Sequence, residues 1–427
     1  MKSKGYNRRT VWSWCLYDFG NSAFTTLVVT FIYATYFTKA IAPEEIMGTV
    51  LWSRGVTITA ITVALLSPFL GALADRGGYR KLFMGLATAV CILGSIMLYT
   101  PLTGEITRAL VWFVVANIAF EMGCVFYNAF LPDIAPHNYI GRISGYGWSL
   151  GYVGGLAAMF IAMVGFVNPE VPWFGLMKET GQNIRATNLL VAGWFAVFSV
   201  PIFLWVREDK SRISPSGVSI VRAAGDQLMQ TYRHIRQYRQ TLLFLIARTI
   251  YNDGLVTIFA FGAIYAGGTF DFTIEEIMVF GIALNLAAGI GAYIMGFMDD
   301  VLGGKRTIQI SLLGLILATV VAAMTTNRLV FWIAGIGIGL LVGPNQSASR
   351  SLMGRFTPPD KENEFFGFFA FSGKATAFIG PFLFGVMTQL TKSQRGGVWV
   401  VAILFIVGAL ILHFTDERAG MKAAGRD

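Results

Sequence analysis

The sequence predicts an all-α integral membrane fold, with twelve transmembrane helices in two pseudo-symmetric six-helix bundles. Three observations carry that reading. The 427-residue chain is 55% hydrophobic and only 13% charged, about half the charged share of a soluble domain. Its apolar residues fall into runs of roughly 20, the length of a helix that satisfies its own backbone while crossing lipid. A short loop of glycine, acid and base recurs at matching places in the two halves.

Apolar runs bounded by charge, proline or glycine place the helices in order at 12–38, 50–74, 81–100, 108–131, 143–166 and 186–206 in the first half. The second half gives 241–266, 276–298, 306–325, 328–350, 364–390 and 397–415. The basic start, MKSKGYNRRT, resembles a signal peptide. The apolar stretch after it continues to about Ala40, contains Asp18 and offers no cleavage site, so it reads as an uncleaved first span. An even count puts both termini on one side. That side carries about 23 Lys and Arg against about eight opposite, which makes it cytoplasmic by the positive-inside rule. The chain therefore divides into bundles at 1–206 and 241–415, a basic cytoplasmic linker at 207–240 and a cytoplasmic tail at 416–427. The linker holds Arg207, Lys210, Arg212, Arg222, Arg233, Arg236 and Arg239 against three acids. Its later part, 223–240, can form a basic helix on the inner membrane surface, where anionic headgroups attract such residues, or remain a solvated connection.

Composition also excludes functions. The three cysteines and three histidines are scattered without ligand spacing, so neither a disulfide frame nor a metal site is expected. No nucleophile motif such as GxSxG appears, and the chain reads as no enzyme and as needing no cofactor. The net charge of +9 belongs to the cytoplasmic loops and implies no nucleic acid.

After the second span the chain reads GALADRGGYRK, and after the eighth GFMDDVLGGKR. Gly71, Asp75, Gly78, Arg80 and Lys81 align without a gap on Gly296, Asp300, Gly303, Lys305 and Arg306. Glycine suits a tight turn or close helix approach, and the acid and bases can pair with neighbouring helix ends. Tyr17-Asp18-Phe19-Gly20 matches Tyr251-Asn252-Asp253-Gly254 more loosely. The loop resembles the signature of the major facilitator superfamily. Three further stretches, WCLYDFGNSAFTTLVVTFIYATYF, NAFLPDIAP and GPNQSASRSLMGRFTPPDKENEFFGFFAFSGKATAFIGP, resemble the vacuole effluxer family, related to the autophagy-linked vacuolar amino-acid exporters of fungi. The superfamily resemblance implies two bundles rocking about a central site. It also implies that Asp75 latches the cytoplasmic side, with Arg76, Arg80 and Arg142 as local candidates for its partners. In the second copy Val301 replaces Arg76, so the latch at Asp300 is expected to be the weaker.

Charged groups near the bilayer centre cost at least about 2.5–3.5 kcal/mol each and need a reason. Glu121 and Asp253 are candidates to carry a proton or a cation. Arg248 and Lys374 are candidates to bind a solute carboxylate or to neutralise those acids; alternatively all four are permanent structural pairs. Asn21, Ser22, Asn117, Tyr251, Asn252 and Asn285 add polar groups at similar depth. Asp18, at shallower depth, is read either as a cytoplasmic-gate residue or as a local cap and pair, and Arg350, grouped with Asn345, Gln346, Ser347 and Ser349, as inner-gate lining. Glycines at four-residue spacing in spans five (Gly147, Gly151, Gly155) and ten (Gly335, Gly339, Gly343) allow close packing. The expectation is a monomeric secondary transporter in contact with membrane lipid, in the inner membrane if bacterial. It would move a small polar solute, an amino acid before a sugar, drug or metal chelate, with a proton or cation as the candidate coupling ion. A non-transporting receptor is the alternative outside transport.

Overall fold

The computed structural model describes residues 6–208 and 220–426, so Lys210, Arg212 and the first five residues of the basic start lie outside the described part. Among the described residues there are helices and no strands. Twelve segments are long and apolar enough to cross a membrane: spans one to six at Arg8–Ile41, Glu45–Gly77, Arg80–Met97, Ile106–Ile134, His137–Val167 and Gln182–Trp205. Spans seven to twelve are Arg239–Phe270, Glu275–Leu302, Gly304–Met324, Arg328–Phe356, Glu362–Thr391 and Gln394–His413. Together they build the major facilitator fold.

Each half closes on its own apolar core. One joins residues from Val11 to Val206, and the other residues from Phe244 to Leu412, with Val125 and Ala129 of span four packed into the latter. Large side chains such as Leu65, Phe160, Leu317 and Ile403 face outward, as a chain solvated by lipid requires. Both ends of the chain meet at one end of the molecule. Tyr6 packs edge-on against Tyr139, and Arg426 reaches the carbonyl of Pro132 and the carboxylate of Glu362.

Two helices depart from the sequence expectation. Span ten runs past 350 to Phe356, because its polar end, from Asn345 to Arg355, finds buried partners described below. Span eleven, predicted as one helix, is two: Glu362–Lys374 and Ile379–Thr391. Pro381 lies in the first turn of the second piece, where its missing N–H is tolerated; proline alone does not break a span here, since Pro68, Pro201 and Pro344 sit inside continuous helices. The linker contains a helix at Ile220–Arg233. It buries Ala224, Gln227 and Thr231 and leaves Val221, Met229 and Tyr232 exposed.

The repeated loops both turn on a glycine at positive φ. Gly78 ends span two at φ +61° and Gly303 ends span eight at φ +90°, a region costly for other residues. Gly71, one turn before Asp75, lies so close to the backbone of Asn363 that a β-carbon there would overlap its carbonyl.

Candidate functional site

A cavity of about 1160 Å³ lies between the two halves. Its lining runs from Asp18 and Arg350 at the floor, past Glu121, Lys374, Arg248 and Asn252, to Lys39 and Ile277 near the end away from the termini. It opens at that far end and is shut at the termini end.

Midway along the wall, Lys374 Nζ donates to Glu121 Oε1 at 2.6 Å. The pair joins span four to span eleven and so bridges the halves. Both side chains remain partly open to the cavity, at 32% and 20% exposure.

Arg248 lines the same cavity, and among the described residues it has no acidic partner. Its Nη1 donates to the Phe369 carbonyl and to Ser372 Oγ, each at 2.7 Å, and its guanidinium lies 3.6 Å from the centre of the Phe369 ring. One step on, Asn252 Nδ2 donates to the Gly373 carbonyl at 3.2 Å. The Gly373 carbonyl lies in the last turn of the first piece of span eleven, where an interrupted helix leaves acceptors without intrahelical donors; the Phe369 carbonyl, one turn earlier, accepts from Arg248 as an additional donor. These contacts leave most of the Arg248 guanidinium free to bind an anion.

Asn21, Ser22, Asn252 and Asn285 line the cavity as expected. The Asn21 amide nitrogen and the Trp148 indole nitrogen are buried without a hydrogen-bond partner among the described residues, and both residues belong to the cavity wall. Asn285 Nδ2 is occupied by the Gly281 carbonyl. Three residues grouped with the site by sequence lie elsewhere. Asn117 is buried inside the first half, and Tyr251 donates to or accepts from Ser349 at 2.8 Å within the second half. Asp253 is 3% exposed and turned to span eleven, accepting from Thr376 Oγ1 at 3.2 Å. Neighbours on one helix point about 100° apart, so similar depth does not place Tyr251, Asn252 and Asp253 in the same site.

The floor is made by Arg350. From span ten it reaches into the first half, where Nη1 donates to Asp18 Oδ2 at 2.9 Å and to Asn128 Oδ1 at 3.2 Å. Nη2 and Nε donate to the carbonyl and hydroxyl of Ser144 at 2.7 and 3.0 Å. Trp14, Tyr127 and Trp148 surround the guanidinium with ring centres 4.7–5.7 Å away, a favourable setting for a desolvated cation. Gln346 accepts from Tyr152 at 2.8 Å and the Ser347 carbonyl from Ser144 at 2.8 Å, both across the halves. Asn345 and Ser349 instead bond within the second half.

Below the floor are the repeated loops. Asp75 accepts from the backbone amides of Asn363 at 3.0 Å and Glu364 at 2.9 Å and from the Asn363 side chain at 2.6 Å. It thereby caps the N-terminus of span eleven, where aligned dipoles favour negative charge. Asp300 does the same to span five, accepting from the Gly141 amide at 2.8 Å and the Arg142 amide at 3.3 Å, and it also holds Arg142 Nε in a short charged contact. Two expectations are corrected. Arg142 partners Asp300, not Asp75. Among the described residues Arg76 makes no ion pair with Asp75 either, and its buried Nε has no hydrogen bond there; the cation paired with Asp75 is Arg80, at 3.9 Å. Val301 points outward at 81% exposure, and the base beside Asp300 comes from span five instead.

Sequence reasoning did not assign roles to Glu362, Asp133 or Tyr152. Arg80 bridges Asp133 at 2.6 Å and Glu362 at 3.2 Å, and Arg426 reaches Glu362 from the tail at 3.2 Å. Asp133 and Glu362 stand in the stretches NAFLPDIAP and PPDKENEFF, each just beyond a span, and that position near the loop Arg80 was the available signal. Gln227 of the linker helix donates to Glu364 at 2.5 Å, tying the linker to the same corner.

The family described as vacuole effluxer Atg22 like matches residues 6–425. An uncharacterized MFS-type transporter, YxiO of Bacillus subtilis, is 28% identical over 95% of this chain and 94% of its own length. Autophagy-related protein 22 of Yarrowia lipolytica is 22% identical over 87% of this chain and 76% of its own. Among solved structures, the human organic anion transporter MFSD10 superposes with a TM-score of 0.73 at 14% identity, covering 95% of this chain and 99% of its own. FucP in the outward conformation gives 0.73 at 12% identity, covering 96% and 100%.

Proposed function

The chain belongs to the vacuole effluxer Atg22-like family, and from that premise we propose that it is a secondary active transporter that carries an amino acid across its membrane by alternating access. The observation that carries the cargo reading is Arg248, a cation on the cavity wall whose partners are a carbonyl and a hydroxyl instead of an acid. A solute carboxylate supplies the missing anion. The Lys374–Glu121 pair presents both signs at the same cavity, which fits a zwitterion better than a neutral sugar. Closing the far end over the bound solute while the floor and latches part at the termini end would move it across. The surplus of Lys and Arg at the termini end supports assigning that end to the cytoplasm.

Purified protein in proteoliposomes tests the reading by counterflow of a labelled equimolar mixture of the twenty amino acids, with a labelled sugar and ferric citrate in parallel. Exchange of amino acids alone is expected, and Arg248→Gln should lower apparent affinity at least about tenfold, the equivalent of roughly 1.4 kcal/mol. Unchanged amino-acid exchange in Arg248→Gln removes that residue from the solute site. Exchange of the sugar or chelate in place of amino acids overturns the cargo reading.

A further inference from the structure

We propose that Asp253 carries the coupling proton, at a site inside the second half beside the break in span eleven and apart from the solute cavity. The proposal rests on the transport reading above and adds the location of its driving ion.

Asp253 is 3% exposed and does not line the cavity. The polar atom that faces its carboxylate is Thr376 Oγ1, at 3.2 Å, in the Ala375–Phe378 stretch that interrupts span eleven. Among the described residues, the charged and polar side chains on the packed elements have other partners, and the remaining contacts are apolar. On span eleven, Lys374 holds Glu121, and Gly380 packs against the Asp253 backbone carbonyl. On span ten, Ser349 bonds Tyr251. Span twelve brings Phe405 against Gly254. On span seven itself, Arg248 and Asn252 hold carbonyls of span eleven, and Thr257 Oγ1 donates to the Asp253 carbonyl at 2.6 Å. Among the described residues Asp253 has no ion-pair partner.

A carboxylate so placed pays the cost of charge in a medium that does not solvate it, with one hydroxyl to offset it. Binding a proton removes that cost, converting the carboxylate to a neutral acid without any other bond changing. A metal ion fits less well, since no group of three or more His, Cys, Asp or Glu among the described residues could hold one. Glu121, the other acid at this depth, already has its cation.

The position explains how a proton could govern transport. Once the proton leaves, Asp253 needs a cation. Arg248 lies five residues earlier on its own helix, and Lys374 two residues before Thr376. Drawing either toward Asp253 breaks the contacts that brace the interrupted span or that join the halves. Protonation thus decides whether span eleven is held in the arrangement seen here.

Two measurements on the reconstituted full-length protein test this, and the first needs no solute. In infrared difference spectra between acidic and alkaline pH, subtracting Asp253→Asn from the wild type cancels the other carboxyl groups and should leave the carbonyl stretch of one protonated carboxylic acid, and subtracting Asp253→Asn from Glu121→Gln should leave the same band. No band left by the first subtraction overturns the assignment. The second compares uptake of the amino-acid mixture driven by a pH gradient with counterflow at equal pH. Asp253→Asn should lose gradient-driven accumulation while keeping counterflow, which also shows that it folds; retained accumulation refutes the coupling role. If wild-type protein exchanges no amino acid, the cargo reading fails while the infrared result still decides the site.

Discussion

Asp75 and Asp300 occupy matching places in the two halves, and each accepts hydrogen bonds from the first backbone amides of a helix in the other half. Only Asp300 also grips a guanidinium directly. In the first half the base of the loop, Arg80, passes over its own aspartate to bridge Asp133 and Glu362, and so crosses between the halves itself. In the second half the buried arginine at the matching corner, Arg355, stays at home, bonding Asp299 at 2.5 Å and Glu417 at 3.3 Å. What the repeat preserves is therefore the cap on the opposing helix, while the cation that accompanies it is placed independently in each copy. Substitution of Arg76 by Val301 in the second copy changes neither cap.

The floor and the two caps close the termini end together, the floor through a buried ion pair and the caps through helix-end hydrogen bonds. The largest effect is accordingly expected for Arg350→Gln, which leaves Asp18 without its cation and empties an aromatic socket. Breaking a buried pair costs roughly 3–5 kcal/mol, enough to abolish the closed arrangement, so a cysteine placed at Ser347 should become reactive to a membrane-impermeant reagent from the termini side. No gain in labelling would show that the caps suffice alone.

Next come the caps themselves. Asp300→Ala removes a helix cap and strands Arg142, for about 2–4 kcal/mol, whereas Asp75→Ala removes a cap alone, for about 1–2 kcal/mol. The same labelling assay should rank Asp300→Ala above Asp75→Ala. The reverse order would restore the view that the loop with the fuller motif is the stronger latch.

A smaller asymmetry is expected at the glycines. A β-carbon at Gly71 overlaps the Asn363 backbone, while one at Gly296 meets the nearest atom, Arg142 Cα, at 3.1 Å. Gly71→Ala should then weaken closure by about 1–3 kcal/mol and Gly296→Ala by less. The smallest change is predicted for Arg76→Val and Val301→Arg, each within about 0.5 kcal/mol; a marked opening by Arg76→Val would return that residue to the latch.

Much of this was legible beforehand. Runs of apolar residues located all twelve spans, because lipid leaves a crossing backbone few alternatives to a helix. The repeated Gly, Asp and Gly located both loops, because the turn and the close approach each demand a small residue. Depth along a helix was legible too, which is how Glu121, Lys374, Arg248 and Asp253 were found. Direction around the helix was harder to read: in spans without a polar face, nothing separates a wall facing the cavity from one facing a neighbouring helix. Asp253, Tyr251 and Asn117 were grouped with the cavity for that reason. Partnerships across the halves, such as Arg350 with Asp18 or Arg142 with Asp300, join residues far apart in sequence and emerged only when the halves were seen together. The break in span eleven has Pro381 just beyond it, but prolines inside three unbroken spans made that residue an ambiguous signal, and the apolar run through it masked the interruption.

The central claim is that two crosswise caps hold the termini end shut. It is tested most directly by electron-spin distance measurements between labels at Tyr79→Cys and Val301→Cys, exposed sites in the two loops, in a Cys124→Ser background. With both caps intact one short distance should dominate. In Asp75→Ala/Asp300→Ala a second, longer distance should appear and grow at the expense of the first. An unchanged distribution in the double variant would contradict the account.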